Sequence, residues 1–310
     1  MVDVDMEIPL LGFTLRNPVI AASGTYGFGR EFDAYASLDK LGGISVKGLT
    51  LEPRRGNPPP RIAETPSGVL NSVGLQNPGV NAFIRDELPF LRKFKGLRII
   101  ANIAGSTLED YREGVRLLSS APVDAIELNV SCPNVKKGGI TFGATEKELF
   151  EVISFVRPVC GKPLIVKLTP NVTDIRLLAA TAERAGADAI SLINTLLGMK
   201  IDVHTRRPVL ANNTGGLSGP AVMPIAVRMT WEVADAVSIP VIGMGGISTG
   251  EDAVEFMLAG AAAVMVGTAN FVDPDACARV ADGIYDYCSV NGYAAARELT
   301  GKLLPWEQES

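Results

Sequence analysis

The run ELNVSCPNVKKGG at positions 127–139 gathers a carboxylate, two amides, a hydroxyl, a thiol and two lysines into thirteen residues. Cys132 stands directly before Pro133, where an extended run must break, so its thiol belongs to a turn. A thiol there can be a nucleophile, a general base, or only a small buried hydrophobe, and the Cys-Pro dipeptide does not choose among them. Other polar residues recur just past short β-branched apolar runs: Ser23-Gly24, Lys47-Gly48, Asn102, Asn129, Lys167, Asn194-Thr195, Gly245-Gly246 and Gly267-Thr268. Each alone reads as a satisfied strand-end group. Meeting on one face, two lysines and three asparagines describe a site for a flat, polar, anionic ligand. The last two positions, in VIGMGGIS and VMVGTA, expose backbone N–H groups beside glycines and suit a phosphate monoester. A sugar-phosphate isomerase would show the same glycines.

The elements that must position these groups follow from periodicity. Continuous apolar runs at 18–22, 43–46, 98–103, 125–130, 164–168, 189–193, 240–243 and 263–266 suit strands buried on both faces. Amphipathic stretches at 107–119, 145–159, 173–185 and 250–259 lie between them, several opening on Thr, Ser or Asp as caps. Eight strands alternating with helices predict an α/β fold, a closed (β/α)8 or TIM barrel whose site lies at the strand C-termini. EIPLLGFTLR (7–16) predicts an N-terminal β-hairpin plugging the opposite mouth. The segments 49–78 and 195–220, rich in Pro, Gly and Asn, predict long loops over the site. No linker or low-complexity tract divides the chain, so 1–310 reads as a single domain.

Composition removes several function classes. Net charge is −5 with Lys and Arg scattered, which argues against a nucleic-acid surface. No uninterrupted apolar run reaches about 18 residues, and the first ten residues resemble neither a secretory signal nor a basic amphipathic anchor. The cytoplasm is therefore the expected compartment, with no membrane contact. Cys132, Cys160, Cys277 and Cys288 share no CxxC spacing, and His204 is the lone histidine, so no metal is expected.

ELNVSCPN, with NSVGLQNPG (71–79), IVKLTPN (165–171), INT (193–195) and GMGGI, resembles class 1 dihydroorotate dehydrogenase from about residue 10 to about 271. Class 2 enzymes carry serine in place of Cys132 and a preceding membrane segment. The resemblance implies flavin mononucleotide (FMN) and a dihydroorotate/orotate pair. It implies that Cys132 takes the C5 proton while flavin N5 takes hydride from C6. Lys47, Asn71, Ser72, Val73, Gly74, Leu75, Asn129, Asn194 and Thr195 would hold the substrate. Ser23, Lys47, Gly48, Asn102, Asn129, Lys167, Ile193, Gly219, Gly245, Gly246, Gly267 and Thr268 would line the flavin.

SCPNVKKGGITFG looks more like the NAD-linked class 1B catalytic subunit than the fumarate-using class 1A enzyme. That resemblance implies a partner subunit carrying FAD and a [2Fe–2S] cluster, in a heterotetramer of two catalytic and two partner chains. The chain itself shows no GxGxxG strand–turn–helix unit for NAD. Alternative readings are the class 1A enzyme, a dihydropyrimidine dehydrogenase-like flavoenzyme, and a flavin-free phosphate-binding isomerase or lyase.

Overall fold

The computed structural model describes residues 3–130 and 142–306. Its first element is a hairpin of β1 (Ile8–Leu10) and β2 (Phe13–Leu15), turning through Leu11 (φ 53°) and Gly12 (φ 82°). Eight strands then pair in parallel and close on themselves: β3 (Val19–Ala21), β4 (Gly43–Ser45), β7 (Arg98–Ile103), β8 (Ala125–Asn129), β9 (Leu164–Lys167), β10 (Ala189–Leu192), β15 (Val241–Met244) and β16 (Ala263–Val266). Their Val, Ile, Leu and Ala side chains are almost all sealed from water, which is why the runs are apolar throughout rather than alternating. Each expected strand coincides with one of these to within a residue or two.

Helices cover the barrel's outside. Short α1 (Val80–Ala82) and α2 (Leu88–Leu91) flank a π-turn, and α3 (Leu108–Ser119), α4 (Glu146–Val156), α5 (Ile175–Arg184), α6 (Met223–Ala236), α7 (Gly250–Leu258) and α8 (Ala276–Asn291) follow. Capping boxes fix two helix starts: Thr107 with Asp110 and Thr249 with Asp252, each side chain bonding the other's backbone N–H. The expected start of α5 at Thr173 moves to Asp174, whose carboxylate caps Arg176 N at 2.9 Å. The hairpin packs across the strand N-termini, where Arg98 Nε donates to Thr14 O at 2.8 Å and Leu15 is fully buried.

One expectation changes. The two long loops are not irregular: β5 (Ile62–Thr65) and β6 (Gly68–Asn71) from the first join β11 (Leu196–Gly198) and β14 (Gly215–Ser218) from the second. They form an antiparallel sheet, β11-β14-β6-β5, with a smaller ribbon of β12 (Ile201–Asp202) and β13 (Arg207–Pro208). Glycine allows the close approach: a Cβ at Gly216 would lie 2.5 Å from Thr195 Cβ.

Helices α7 and α8 meet through glycines. A Cβ at Gly250 would lie 2.5 Å from Gly283 Cα, and one at Gly283 would lie 2.9 Å from Gly250 Cα. Both obstacles are backbone, so the helices must separate to admit a methyl group. Gly250→Ala should therefore destabilise the fold by about 1–3 kcal/mol through overpacking. Gly283→Ala should cost less, because alanine recovers about 1 kcal/mol of helix propensity. Urea unfolding midpoints check this, and wild-type midpoints for both variants would refute the packing argument.

Candidate active site

A cavity of about 410 Å³ opens at the C-terminal mouth of the barrel, under the antiparallel sheet. One layer below its floor lies Glu127 on β8, which is fully buried and outside the lining. Glu127 Oε2 accepts from Ser45 Oγ at 2.7 Å and from Asn102 Nδ2 at 2.5 Å, and Oε1 accepts from Ser191 Oγ at 2.7 Å. Three donors from β4, β7 and β10 thus satisfy a carboxylate inside a barrel that would otherwise expel it. Asn102 Oδ1 in turn accepts from Asn129 Nδ2 at 3.3 Å, and Tyr111 on α3 donates to Asn129 O at 2.9 Å.

Above this layer the strand ends converge. Lys167, 4% exposed at the end of β9, reaches across the barrel to Ser23 Oγ at 3.5 Å. A Cβ at Gly24 would lie 4.0 Å from Lys47 Nζ, so both ammonium groups stand against the Ser23-Gly24 turn. Asn194 and Thr195 follow β10, and the Leu192–Ile193 bond before them is cis. Asn171 holds that segment: its Nδ2 donates to Thr195 O at 3.0 Å and its Oδ1 accepts from Leu197 N at 2.9 Å.

At the other end, Gly245 (φ 129°) and Gly246 (φ 89°) follow β15, and Gly267-Thr268 follow β16. A Cβ on Gly246 would lie 2.6 Å from Met223 Cβ, in a backbone conformation L side chains rarely adopt. Thr268 Oγ1 donates to Ser218 Oγ at 2.9 Å, tying this end to the sheet above. Backbone, lysine and amide groups face one chamber. Such a chamber suits a long ligand with a phosphate at one end and a flat polar ring at the other.

Most of the residues singled out by sequence line this chamber: Ser23, Lys47, Gly48, Asn71, Val73, Gly74, Leu75, Asn129, Lys167, Ile193, Asn194, Thr195, Gly219, Gly245, Gly246, Gly267 and Thr268. Two do not. Asn102 is sealed in the layer below, and Ser72 is fully buried with its side chain outside the lining and its hydroxyl without a hydrogen-bond partner among the described residues. Cys132 lies outside the described residues. Sequence reading missed Glu127, Ser45 and Ser191, although a charge inside the apolar run AIELN was a usable signal.

The sequence profile of the dihydroorotate dehydrogenase family matches residues 6–287. A protein of Geotalea uraniireducens (strain Rf4), named dihydroorotate dehydrogenase B (NAD(+)), catalytic subunit, is 55% identical over 301 residues, covering 97% of this chain and 98% of its own. The protein of that name from Alkaliphilus metalliredigens (strain QYMF) is 56% identical over 303 residues, covering 98% and 100%. A crystal structure of the Eimeria tenella dihydroorotate dehydrogenase in complex with ferulenol superposes with a TM-score of 0.83. It covers 96% of this chain and 88% of its own at 23% identity, a likeness of fold.

Among the described cysteines, Cys160, Cys277 and Cys288 are buried, and none lines the chamber. Burial pushes the Cys277 thiol up to about 12, although it donates to Asn270 Oδ1 at 3.3 Å. A raised value keeps the thiol neutral, and so unreactive, until the pH passes it. Brief iodoacetamide treatment of the native protein at pH 8 should therefore leave Cys277 unlabelled, as read by peptide mass spectrometry. Labelling as fast as in the unfolded chain would contradict its burial.

Proposed function

The chain belongs to the dihydroorotate dehydrogenase family, and from that premise we propose how its own residues carry out the reaction. It is an NAD-linked dihydroorotate dehydrogenase catalytic subunit, oxidising dihydroorotate to orotate for pyrimidine synthesis. One observation carries the reading of the site: two lysines and a set of amides share a single chamber with a glycine cradle. The family implies FMN on this chain, and the residues present fit it. Gly245 and Gly246 leave room for backbone N–H groups to approach a phosphate, since side chains there would strike Ala226 and Met223. Gly219, Gly267 and Thr268 complete that end. Ser23, Gly48 and Ile193 would border the ring system, with Lys47 and Lys167 holding positive charge beside it.

Bound FMN supplies the acceptor for the hydrogen that leaves C6 of the substrate as hydride. The chain's own task is to hold the pyrimidine and to move one proton. Asn71, Asn129, Asn194 and Thr195 line one chamber and offer both donors and acceptors to the edge of a planar acid amide ring. Lys47, with the backbone of Val73, Gly74 and Leu75, would close on the carboxylate side. The sheet above limits water, which strengthens each polar contact beneath it. Cys132 Sγ would remove the C5 proton, made acidic by the neighbouring carbonyl. Support for that role is the motif itself, together with Asn129, three residues earlier and lining the chamber.

The name catalytic subunit, carried by the relatives, implies a partner. We assign to that partner the FAD, the [2Fe–2S] cluster and the nicotinamide site, in a heterotetramer of two chains of each kind. This chain's four cysteines are too dispersed for a cluster, and no three His, Cys, Asp or Glu side chains among the described residues could share a metal. Exposed apolar side chains at the mouth, Ile62 and Phe271, with Val272 beside them, suit a docking face near the flavin. No described helix is long and apolar enough to cross a membrane.

Two measurements test this reading. Cys132→Ala should keep its FMN but reduce it with dihydroorotate about 10²–10⁴ times more slowly under anaerobic stopped flow. Reduction at the wild-type rate would make the thiol structural. The isolated chain should reduce artificial dyes with dihydroorotate, but neither NAD nor fumarate. Co-expression with the iron–sulfur flavoprotein subunit should restore NAD reduction. Rapid NAD reduction by the chain alone would eliminate the partner's role.

A further inference from the structure

Asn270 lies behind the Gly267-Thr268 turn, 1% exposed and outside the chamber's lining. It belongs to the short 3-10 helix Thr268–Phe271 that follows β16. Its backbone N–H donates to Gly267 O at 3.0 Å, and its Nδ2 donates to Val266 O at 2.9 Å. Its Oδ1 accepts from Cys277 Sγ, on α8, at 3.3 Å. One residue thus holds two consecutive main-chain carbonyls, the last of β16 and the one after it. Val266 O also accepts from Ala22 N at 2.8 Å, which joins the turn to the end of β3, where Ser23 enters the chamber. A carbonyl only accepts, so Val266 O decides which edge of the amide faces it: Nδ2 to the turn, Oδ1 to the thiol.

We propose that Asn270 is a positioning residue for the cofactor: its side-chain bond to Val266 O holds the Gly267-Thr268 turn in the conformation that receives the phosphate of FMN. The inference rests on the assignment of that turn to the phosphate. Both edges of this amide are engaged where water does not reach. Movement of Val266 or Gly267 would break a bond that solvent cannot replace, and a buried bond left unmade is costly. A turn held in place before the ligand arrives spares the ordering that binding would otherwise require. The effect is confined to one end of the ligand. Asn270 therefore matters to a flavin that carries the phosphate and is indifferent to one that lacks it.

The experiment strips the full chain of flavin and titrates it with FMN and, separately, with riboflavin, following the flavin fluorescence. Wild type is compared with Asn270→Leu, which is similar in volume and has no polar side-chain atom. Asn270→Ala is the second variant, and it keeps the test open should leucine not be accommodated. Melting temperatures are measured alongside. Each variant should bind FMN about 10-fold more weakly, as loss of a buried hydrogen bond implies, with riboflavin affinity within about twofold of wild type. The preference for FMN over riboflavin is thus the readout, and it should shrink by nearly the whole loss. A residue that only supports the fold predicts equal losses for the two flavins and an unchanged preference.

Wild-type FMN affinity in the variants, or losses shared equally by FMN and riboflavin, overturns the proposal. Unfolding of both variants makes Asn270 a folding residue and overturns it equally. A wild-type chain that binds FMN no better than riboflavin would instead remove the phosphate reading, and this inference with it.

Discussion

A carboxylate buried in the middle of the barrel is the constraint around which the site is built. Glu127 has no solvent exposure, and three short hydrogen bonds from separate strands surround it. Removing a charge from water costs several kcal/mol even after the protein relaxes, so such a group persists only with its acceptors filled. Filling them fixes the neighbours: β4, β7 and β10 must bring Ser45, Asn102 and Ser191 to the same depth as Glu127 on β8. Register does this for β7 and β8, where Asn102 pairs with Glu127. Below that depth the barrel is packed by aliphatic side chains. Above it every strand ends in polar residues or glycine.

The rest of the architecture closes the two ends of that barrel in different ways. At the strand N-termini the hairpin contributes Ile8, Leu10 and Leu15 to the core and seals it with apolar contacts. At the C-termini a second sheet, built from two separate crossovers, roofs the chamber without filling it. It is pinned to the barrel by polar contacts, Thr268 to Ser218 on β14 and Asn171 to the segment after β10. Apolar packing at one mouth carries stability, while the polar framework at the other keeps a cavity open.

The strands were legible because burial on both faces writes itself as unbroken apolar sequence. The chamber's residues were legible because strand ends in a parallel barrel share one mouth. The roof sheet was not: β6, β11 and β14 are short and glycine-rich, and β6 finds β14 across more than a hundred residues, so their composition reads as loop. Ser72 shows a second limit. Successive side chains in extended backbone point to opposite sides, so Asn71, Ser72 and Val73 cannot all turn to the same chamber. Asn71 and Val73 do, and Ser72 between them does not. Asn102 fails for depth rather than direction, since its strand's last inward polar group lies one layer lower than on β8. Glu127 was overlooked because a strand-end rule looks past the strand, and the group that orders the site lies inside it.

Depth also explains how a carboxylate and two lysines serve one site without cancelling. Lys167 pairs in register with Asn129, and Glu127 lies two residues before Asn129 on the same strand. Two residues of strand rise about 6.6 Å, and the neighbouring strand adds about 4.8 Å sideways, so the two backbone positions lie about 8 Å apart. A direct ion pair would consume the ammonium's donors and leave an anionic ligand facing a neutral pair. Holding the acid one layer down lets Lys167 turn toward the mouth, where its donor reaches Ser23 and faces whatever negative charge arrives.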